Sequence, residues 1–432
     1  EKLDNISKNN KVGFEADREL EFLPSYFEGR FYTAYQFLSV RLGRTAGRLA
    51  AGLFLVTRNL SDGLRLFGSA LVITIVMSSP STDLVEMDKS IFLVTIILLV
   101  LVTLVYTWLG GMKAVIWTDV IQMAIYVSGG ILAVALLSSS LMGGPFTVTQ
   151  HLYEAGKLNV FDFRFNLSLD YTFWSGILGG AFFTAATHGT DQMFVQRYLC
   201  CQTLKDAQKA LIGSGLIVIG QFLLFLIIGG LLSASSDAFP YGEVAQRASG
   251  AMQPDRIFPL FIASNFPIGL KGLMLAAIIA AAMSTLSSSL NSCAATFVGD
   301  IYDRGINESR TNAGVLQLSR WSTIVFALLQ TLVAFFAAEL TERLIDDVLR
   351  IQFFTGGVML GAFFISVWSR SMHPAIVGIS CGCGVFLLAL LALTTSVSWQ
   401  WYTLAGSIPT LSLAFALRVL FPPKRRPTST TS

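Results

Sequence analysis

The chain has 432 residues, of which 53% are hydrophobic and 13% are charged, and its mean hydropathy is +0.63. Apolar runs of about 20 residues, each long enough to span a bilayer, recur along the whole chain. This pattern predicts an all-α polytopic membrane protein, because a transmembrane β-barrel would show short alternating segments instead. The net charge is only +3, and no basic stretch alternates with aromatic residues, so we expect no nucleic-acid partner.

Hydropathy divides the chain into three parts. Residues 1–45 are predicted to form a cytoplasmic N-terminal segment and loop, residues 46–421 a transmembrane domain, and residues 422–432 a cytoplasmic tail. About ten transmembrane helices are predicted in the domain, covering residues 46–79, 90–109, 114–138, 172–195, 208–233, 270–298, 318–338, 347–369, 374–394 and 400–421.

Lysine and arginine predict the orientation of these spans. Most of the lysines and arginines fall in loops on one side of the membrane, and the positive-inside rule makes that side cytoplasmic. A multi-pass protein of the plasma (inner) membrane with both termini in the cytoplasm is therefore expected. The cytoplasmic set is Arg41, Arg44, Arg48, Lys113, Arg197, Lys205, Lys209, Arg304, Arg310, Arg320, Arg370, Lys424, Arg425 and Arg426, and the smaller opposite set includes Lys89, Lys157, Arg164, Arg247 and Arg256.

The first span contains two ionisable residues four positions apart, Arg58 and Asp62. An ionisable side chain in mid-bilayer costs about 2.5–3.5 kcal/mol on insertion scales, so it usually faces a partner or a cavity. The spacing indicates an ion pair within the helix. The alternative is that the two residues form an extracellular gate or contact the substrate.

A lone carboxylate, Asp119, lies early in the third span. It is interpreted either as a group that binds or senses a cation, or as a buried structural acceptor paired with a lysine. The residues around it do not decide between the two interpretations.

The fourth span contains a polar stripe and several glycines, and it is predicted to be a broken helix beside a cavity, where a transporter exposes groups to substrate. Alternatively, Asp191 and Gln192 mark the cytoplasmic end of the span, although that would not explain the two threonines about two turns deeper. The stripe comprises Thr184, Thr187, His188, Asp191 and Gln192, and the glycines are Gly179, Gly180 and Gly189.

Late in the sixth span, hydroxyl side chains cluster at Ser284, Thr285, Ser287, Ser288 and Ser289. Helical spacing places Ala281, Ser284, Thr285 and Ser288 on one face. Hydroxyls and backbone carbonyls are oxygen ligands of the kind that a hard cation such as sodium takes. The alternative is that the serines let helices pack closely and form hydrogen bonds between them.

Gln352, in the eighth span, is another intramembrane polar residue, and it precedes a Gly-Gly pair that predicts a break. It either joins helices by a hydrogen bond or contacts a ligand.

If the chain were an intramembrane enzyme, His188 and Asp191 would be its candidate catalytic residues. Because no metal-spaced histidine cluster and no Ser/His/Asp arrangement accompanies them, we expect no enzymatic activity.

Four segments together resemble the sodium/solute symporter family, in the order in which that family carries them. They are Phe-Leu-Pro-Ser-Tyr-Phe followed by Tyr-Gln-Phe-Leu-Ser-Val-Arg-Leu-Gly, then Gly-Gly-Met-Lys-Ala-Val-Ile-Trp-Thr-Asp-Val-Ile-Gln, Asp-Gln-Met-Phe-Val-Gln-Arg-Tyr-Leu (191–199), and Leu-Ala-Ala-Ile-Ile-Ala-Ala-Ala-Met-Ser-Thr-Leu-Ser-Ser-Ser-Leu-Asn-Ser (275–292). The resemblance implies a LeuT-like inverted-repeat fold with substrate and sodium near the middle of the membrane. Members of the family usually begin with an accessory helix and two core helices. None of these is recognised before residue 22, so the resemblance extends over only part of that fold.

The resemblance also implies roles for individual residues. The Ala281 carbonyl, Ser284 and Thr285 match half of the sodium site common to the family, whose other half comes from the first core helix. Asp119, Ser284, Ser287 and Ser288 match a second sodium site present in some members. The substrate positions matched are Thr184, Thr187, His188 and Gln352.

The implied function is sodium-coupled import of a small organic solute or anion by alternating access, in a lipid bilayer, with sodium as coupling ion and no other cofactor. Val218 lies where the sugar branch carries a lysine, so the chain is more similar to the monocarboxylate, iodide and vitamin branch. The alternative is a truncated transporter-like protein that does not transport, such as a solute sensor or an inert form.

Overall fold

The structure is a computed structural model. It describes residues 22–29, 31–77, 89–140, 149–234, 254–302, 312–337, 344–368 and 372–421, apart from positions 151, 155, 157 and 160. The predicted cytoplasmic tail, 422–432, and the first 21 residues lie outside the described residues. So do several basic residues of the orientation argument, namely Lys157, Arg247, Arg304, Arg310, Arg370, Lys424, Arg425 and Arg426.

Within these ranges the secondary structure is helical, without a β-strand. The α-helices are numbered in chain order: α1 Phe22–Gly29, α2 Ala34–Leu42, α3 Arg44–Met77, α4 Lys89–Ser140, α5 Gly180–Thr190, α6 Gln192–Leu199, α7 Leu204–Ala234, α8 Ile257–Asn265, α9 Ile268–Thr296, α10 Asn312–Ala337, α11 Leu344–Trp368, α12 Pro374–Thr394 and α13 Tyr402–Leu420. Short π-helical turns, Ser175–Gly179 and Phe297–Tyr302, adjoin α5 and α9.

Eight of the described helices are long and apolar enough to cross a membrane. The longest, α4, has 52 residues and bends at Gly111 (φ 56°, ψ −157°). At 1.5 Å per residue it would be about 78 Å long if straight, whereas a bilayer core is about 30 Å thick. It therefore corresponds to the two predicted spans 90–109 and 114–138, which meet at a glycine because few other residues adopt a positive φ.

The predicted fourth span is absent from those eight because it is not one long helix. A π-helical turn, α5 and α6 follow one another over residues 175–199, and neither α-helix exceeds 11 residues. When this broken segment is added and α4 is taken as two crossings, the structure agrees with the ten predicted spans.

Helix α9 lies at the centre of the bundle, where it packs against α3, α4, α6 and α10. Its second half is lined with small hydroxyl residues, and Ser287, Ser288 and Ser289 are fully buried. Small side chains let helix backbones approach closely, and their hydroxyls form hydrogen bonds between helices. One such bond runs from the Gln330 amide nitrogen of α10 to Ser289 Oγ, at 2.8 Å.

The outer surface of the bundle is apolar. Helix α7 is the clearest case, with Leu216, Phe222 and Leu226 each more than 60% exposed. A soluble domain rarely leaves such a surface in water, whereas a lipid environment accommodates it. The chain is therefore a multi-pass membrane protein.

The glycine break expected after Gln352 is not present. Helix α11 runs without interruption from Leu344 to Trp368. A Cβ atom placed on Gly357 would come within 2.7 Å of the Tyr402 carbonyl oxygen at the start of α13. This glycine therefore serves close packing between α11 and α13, and the prediction of a break was wrong.

Candidate functional site

The break between α5 and α6 occurs at Asp191, whose backbone is extended (φ −83°, ψ 119°). The Asp191 carboxylate caps α6 by accepting a hydrogen bond from the Met193 N–H at 2.9 Å. Neighbouring elements hold both sides of the break. The Tyr26 hydroxyl donates to the Gly189 carbonyl at 2.6 Å, and the Gln192 side-chain oxygen accepts from the Ala34 N–H at 2.8 Å. The broken helix of the sequence prediction is present, and the two short helices that precede α3, α1 and α2, hold it in position.

A cavity of about 900 Å³ lies beside this break, and we call it the α5 cavity. Such a volume is in the range of small-molecule sites. It brings together all four residues predicted to contact substrate, which are Thr184, Thr187, His188 and Gln352, and Val218 also lines it. The His188 Nδ1 atom lies 2.6 Å from the Tyr198 hydroxyl, so the imidazole is held in one orientation.

A stacked aromatic pair lies beside the α5 cavity. The rings of Phe183 on α5 and Phe353 on α11 are parallel within 4°, with centroids 3.8 Å apart. Phe183 lines the cavity, and Phe353 directly follows Gln352. The pair thus joins the broken segment to α11 next to the predicted substrate residues.

A second cavity, of about 730 Å³, is lined by the hydroxyl face of α9, and we call it the α9 cavity. Three of its lining residues are Ala281, Ser284 and Thr285, the group predicted to supply half of a sodium site. Thr285 Oγ1 donates to the Ala281 carbonyl oxygen at 3.3 Å, so these two oxygens are adjacent. Two residues, Arg65 and Gln221, line both cavities and form the junction between them.

Asp119 of α4 is the acceptor for serines of α9. Ser284 Oγ donates to one carboxylate oxygen at 2.7 Å, and Ser288 Oγ donates to the other at 3.1 Å. Ser287, which was predicted to belong to the same set, instead donates to the Ser284 carbonyl oxygen at 3.1 Å. Three of the four predicted sodium ligands are therefore in contact, and the fourth, Ser287, forms its hydrogen bond within its own helix.

The partner of Asp119 is Arg197, at the end of α6. The guanidinium lies 2.6 Å from the Asp119 carboxylate and also contacts Ser288. The sequence interpretation considered a lysine partner and did not identify Arg197. The two residues are 78 positions apart, so no helical spacing could have indicated this pair.

Arg58 and Asp62 form the intrahelical pair that their spacing predicts, with 3.6 Å between nitrogen and oxygen. The structure adds two partners. Arg58 also binds the Asp191 carboxylate at the helix break, and Arg65 donates to Asp62 at 2.9 Å. Arg58 and Asp62 are only 4% and 2% exposed, so the middle of this alternating network is buried between α3 and the broken segment.

The comparisons with known proteins agree with this architecture. A sequence profile described as the Sodium:solute symporter family matches residues 55–379. The chain is 29% identical over 377 residues to sodium-coupled monocarboxylate transporter 1 of Homo sapiens, covering 85% of this chain and 58% of that one. It is 27% identical over 411 residues to the sodium/sialic acid symporter SiaT of Proteus mirabilis, covering 94% and 79% respectively.

A solved structure of a Na⁺-coupled sialic acid symporter in a substrate-bound outward-open state has a similar fold. The TM-score is 0.80 at 24% sequence identity, over 92% of this chain and 79% of that chain. The fold is thus the LeuT-like arrangement that the sequence resemblance implied.

The fold and the site define a multi-pass α-helical membrane protein whose broken helix borders a cavity. Because the family profile covers well over half of the residues, the chain belongs to the sodium:solute symporter family. The chain spans little more than half the length of the human monocarboxylate transporter it matches.

Proposed function

We propose that this protein is a secondary active symporter that couples inward sodium flow to import of a small organic solute or anion by alternating access. The observation that carries the proposal is the oxygen cluster of Asp119, Ser284 and Ser288, joined by contacts of 2.7 and 3.1 Å. A carboxylate and hydroxyls are suitable ligands for a hard cation. The relatives named above are described as sodium-coupled, which agrees with that chemistry.

Sodium at this cluster would compete with Arg197. The guanidinium contacts the same Asp119 oxygen and the same Ser288 hydroxyl that the ion would use. Arg197 belongs to α6, the second half of the broken segment, so sodium binding would release a tether between α6 and the α4–α9 pair. An ion changes a conformational equilibrium in this way only because it binds one arrangement better than the other.

A second sodium position would use Ala281, Thr285 and Ser284 in the α9 cavity. The Ala281 carbonyl and Thr285 hydroxyl are adjacent, and Ser284 is shared with the Asp119 cluster. Solute would occupy the α5 cavity, where Thr184, Thr187, His188 and Gln352 supply hydrogen-bonding groups. The two cavities meet at Arg65 and Gln221, so ion and solute would occupy neighbouring compartments.

The orientation is part of the proposal. The excess of lysine and arginine in one set of loops places both termini of this chain in the cytoplasm of a plasma (inner) membrane protein. Alternation of the spans then puts the joint between α6 and α7 on the cytoplasmic side.

The first test measures the melting temperature of the detergent-purified protein in sodium and in potassium at equal ionic strength. We expect sodium to raise the melting temperature, because it binds the folded state only. Asp119→Ala should abolish most of the difference, and Ser288→Ala should reduce it.

The matched control is Asp162→Ala. Asp162 is also paired with an arginine, Arg164, but the pair lies at the surface and lines neither cavity. The control should keep the full sodium effect. Equal melting temperatures in sodium and potassium for the unmodified protein would reject sodium coupling. A sodium effect without sodium-driven uptake in proteoliposomes would favour the alternative, a sensor or inert form that does not transport.

A further inference from the structure

Arg320 is a cation inside a membrane span and has no anion beside it. It lies on α10 about two turns after the start of that helix at Asn312, roughly 12 Å along the helix axis. Its Nε atom is buried without a hydrogen-bond partner, and no carboxylate pairs with its guanidinium in the part of the chain that the structure describes. A charged side chain at such a depth is unfavourable unless an opposite charge or water reaches it.

Three other arginines of the bundle differ from Arg320, because Arg58, Arg65 and Arg197 each contact an aspartate. Arg320 instead contacts the Trp108 ring of α4, with the central carbon of its guanidinium 4.7 Å from the ring centroid. This cation–π contact holds the guanidinium in place, but a neutral ring leaves its charge uncompensated. The positive charge is therefore positioned and available to an anion from outside the chain.

The contact between Arg320 and Trp108 lies near a surface of the membrane. Trp108 just precedes the bend at Gly111, where α4 passes from one span to the next, and a joint between consecutive spans lies at the edge of the bilayer. Trp108 is 40% exposed, and the nearby tryptophans Trp117 and Trp321 are 64% and 59% exposed. Tryptophan is enriched at the level of the lipid head groups, which agrees with this depth.

A second cation, Lys113, lies at the same bend of α4. Its side chain is exposed, and it has no ion-pair partner among the described residues. Two positive charges without an internal anion, at one interfacial bend, attract anionic head groups. In the orientation proposed above this bend faces the cytoplasm, and anionic lipids are typical of the cytoplasmic leaflet.

We infer that Arg320, Trp108 and Lys113 form a binding site for the head-group phosphate of an anionic phospholipid, on the lipid-facing surface between α4 and α10. The planar donors of a guanidinium match two phosphate oxygens, and the phosphate supplies the negative charge that Arg320 lacks. Lys113 adds a second point charge, which favours a lipid with a net negative charge over a zwitterionic one. The inference goes beyond symport, because it involves neither sodium nor solute.

The test is native mass spectrometry of the whole detergent-purified protein with phosphatidylglycerol and phosphatidylcholine that carry the same acyl chains. Both lipids contain the phosphate, but only phosphatidylglycerol has a net charge. We expect phosphatidylglycerol to be retained roughly fivefold or more over phosphatidylcholine. Arg320→Gln should remove most of that preference, and Lys113→Gln should reduce it. Trp108→Leu keeps an apolar side chain but loses the cation–π contact, so it should weaken retention of phosphatidylglycerol only.

The matched control is Arg418→Gln. Arg418 lies in the last turn of α13, at the end of a span on the same predicted side of the membrane, and its substitution removes the same charge. It should leave the preference for phosphatidylglycerol unchanged. The sidedness of the protein does not enter the test, because lipid in detergent micelles has access to both ends of the bundle.

Lys113→Gln keeps the test decisive if Arg320→Gln does not fold, since Lys113 is exposed. The inference is overturned if the two lipids are retained equally, or if no folded variant at Arg320 or Lys113 lowers retention of phosphatidylglycerol. It is also overturned if Arg418→Gln weakens retention as much as Arg320→Gln, because the attraction would then not be specific to this bend. An excess of inorganic phosphate should leave the lipid bound, and displacement would make this a site for free anions in place of a lipid site.

Discussion

Arg58 offers the sharpest test of how the buried network stabilises the fold. Arg58→Ala removes the cation that joins α3 to the helix break, leaving Asp191 with only the Met193 N–H among its described side-chain contacts. Asp62 keeps Arg65 as a partner. Breaking a buried pair by removing one member costs about 3–5 kcal/mol. Because the Asp191 side chain is 21% exposed and water can reach it, we expect a loss of about 3 kcal/mol, at the lower end of that range.

A double variant separates the charge effect from simple loss of packing. Arg58→Ala combined with Asp191→Asn leaves no unpaired carboxylate at the break, so it should recover about 1 kcal/mol or more relative to Arg58→Ala alone. The remaining loss reflects lost packing, including the contact of the guanidinium with the Phe54 ring, whose centroid is 5.7 Å away.

The assay is the free energy of unfolding in mixed detergent micelles, followed by helical circular dichroism. Arg164→Ala is the control, since that arginine is 73% exposed and its removal should leave the stability unchanged. Equal losses for Arg58→Ala and Arg164→Ala would refute the reasoning. So would a double variant whose loss equals the sum of the two single losses, because the two side chains would then not interact.

Two further predictions concern packing and topology. Gly357→Ala should lower the free energy of unfolding by about 1–3 kcal/mol because the added methyl group overlaps the Tyr402 carbonyl. Gly382→Ala, with nothing within 4 Å of the new atom, should be neutral or stabilising, and equal effects of the two would contradict the packing argument. A variant with Cys200 as its sole cysteine should react with an impermeant maleimide from the cytoplasmic side only, since Cys200 is exposed at the α6–α7 joint. A variant with only the buried Cys293 should not react, and labelling of Cys200 from outside would reverse the topology.

The local features of this protein could be predicted from sequence because they depend on hydropathy, composition and the period of the helix. Hydropathy predicts the spans, including the two joined at Gly111, and the helical period places Ala281, Ser284, Thr285 and Ser288 on one face. The pairing of Arg58 with Asp62 follows from the same period. The polar and glycine-rich fourth span indicates a broken helix, and the break is found at Asp191.

The contacts between helices were decided by the tertiary structure. Arg197 binds Asp119 from 78 positions away, and Arg58 binds Asp191 across 133 positions. Helical periodicity relates residues a few positions apart, but the rotation and depth of one helix against another depend on how all side chains pack together. For the same reason Ser287 turned away from the cluster that its neighbours form, and Gly357 served close packing in place of a break. The sequence by itself determined which residues are candidates to bind ions and solute, and the packing of α3, α4, α6 and α9 decided which of them meet.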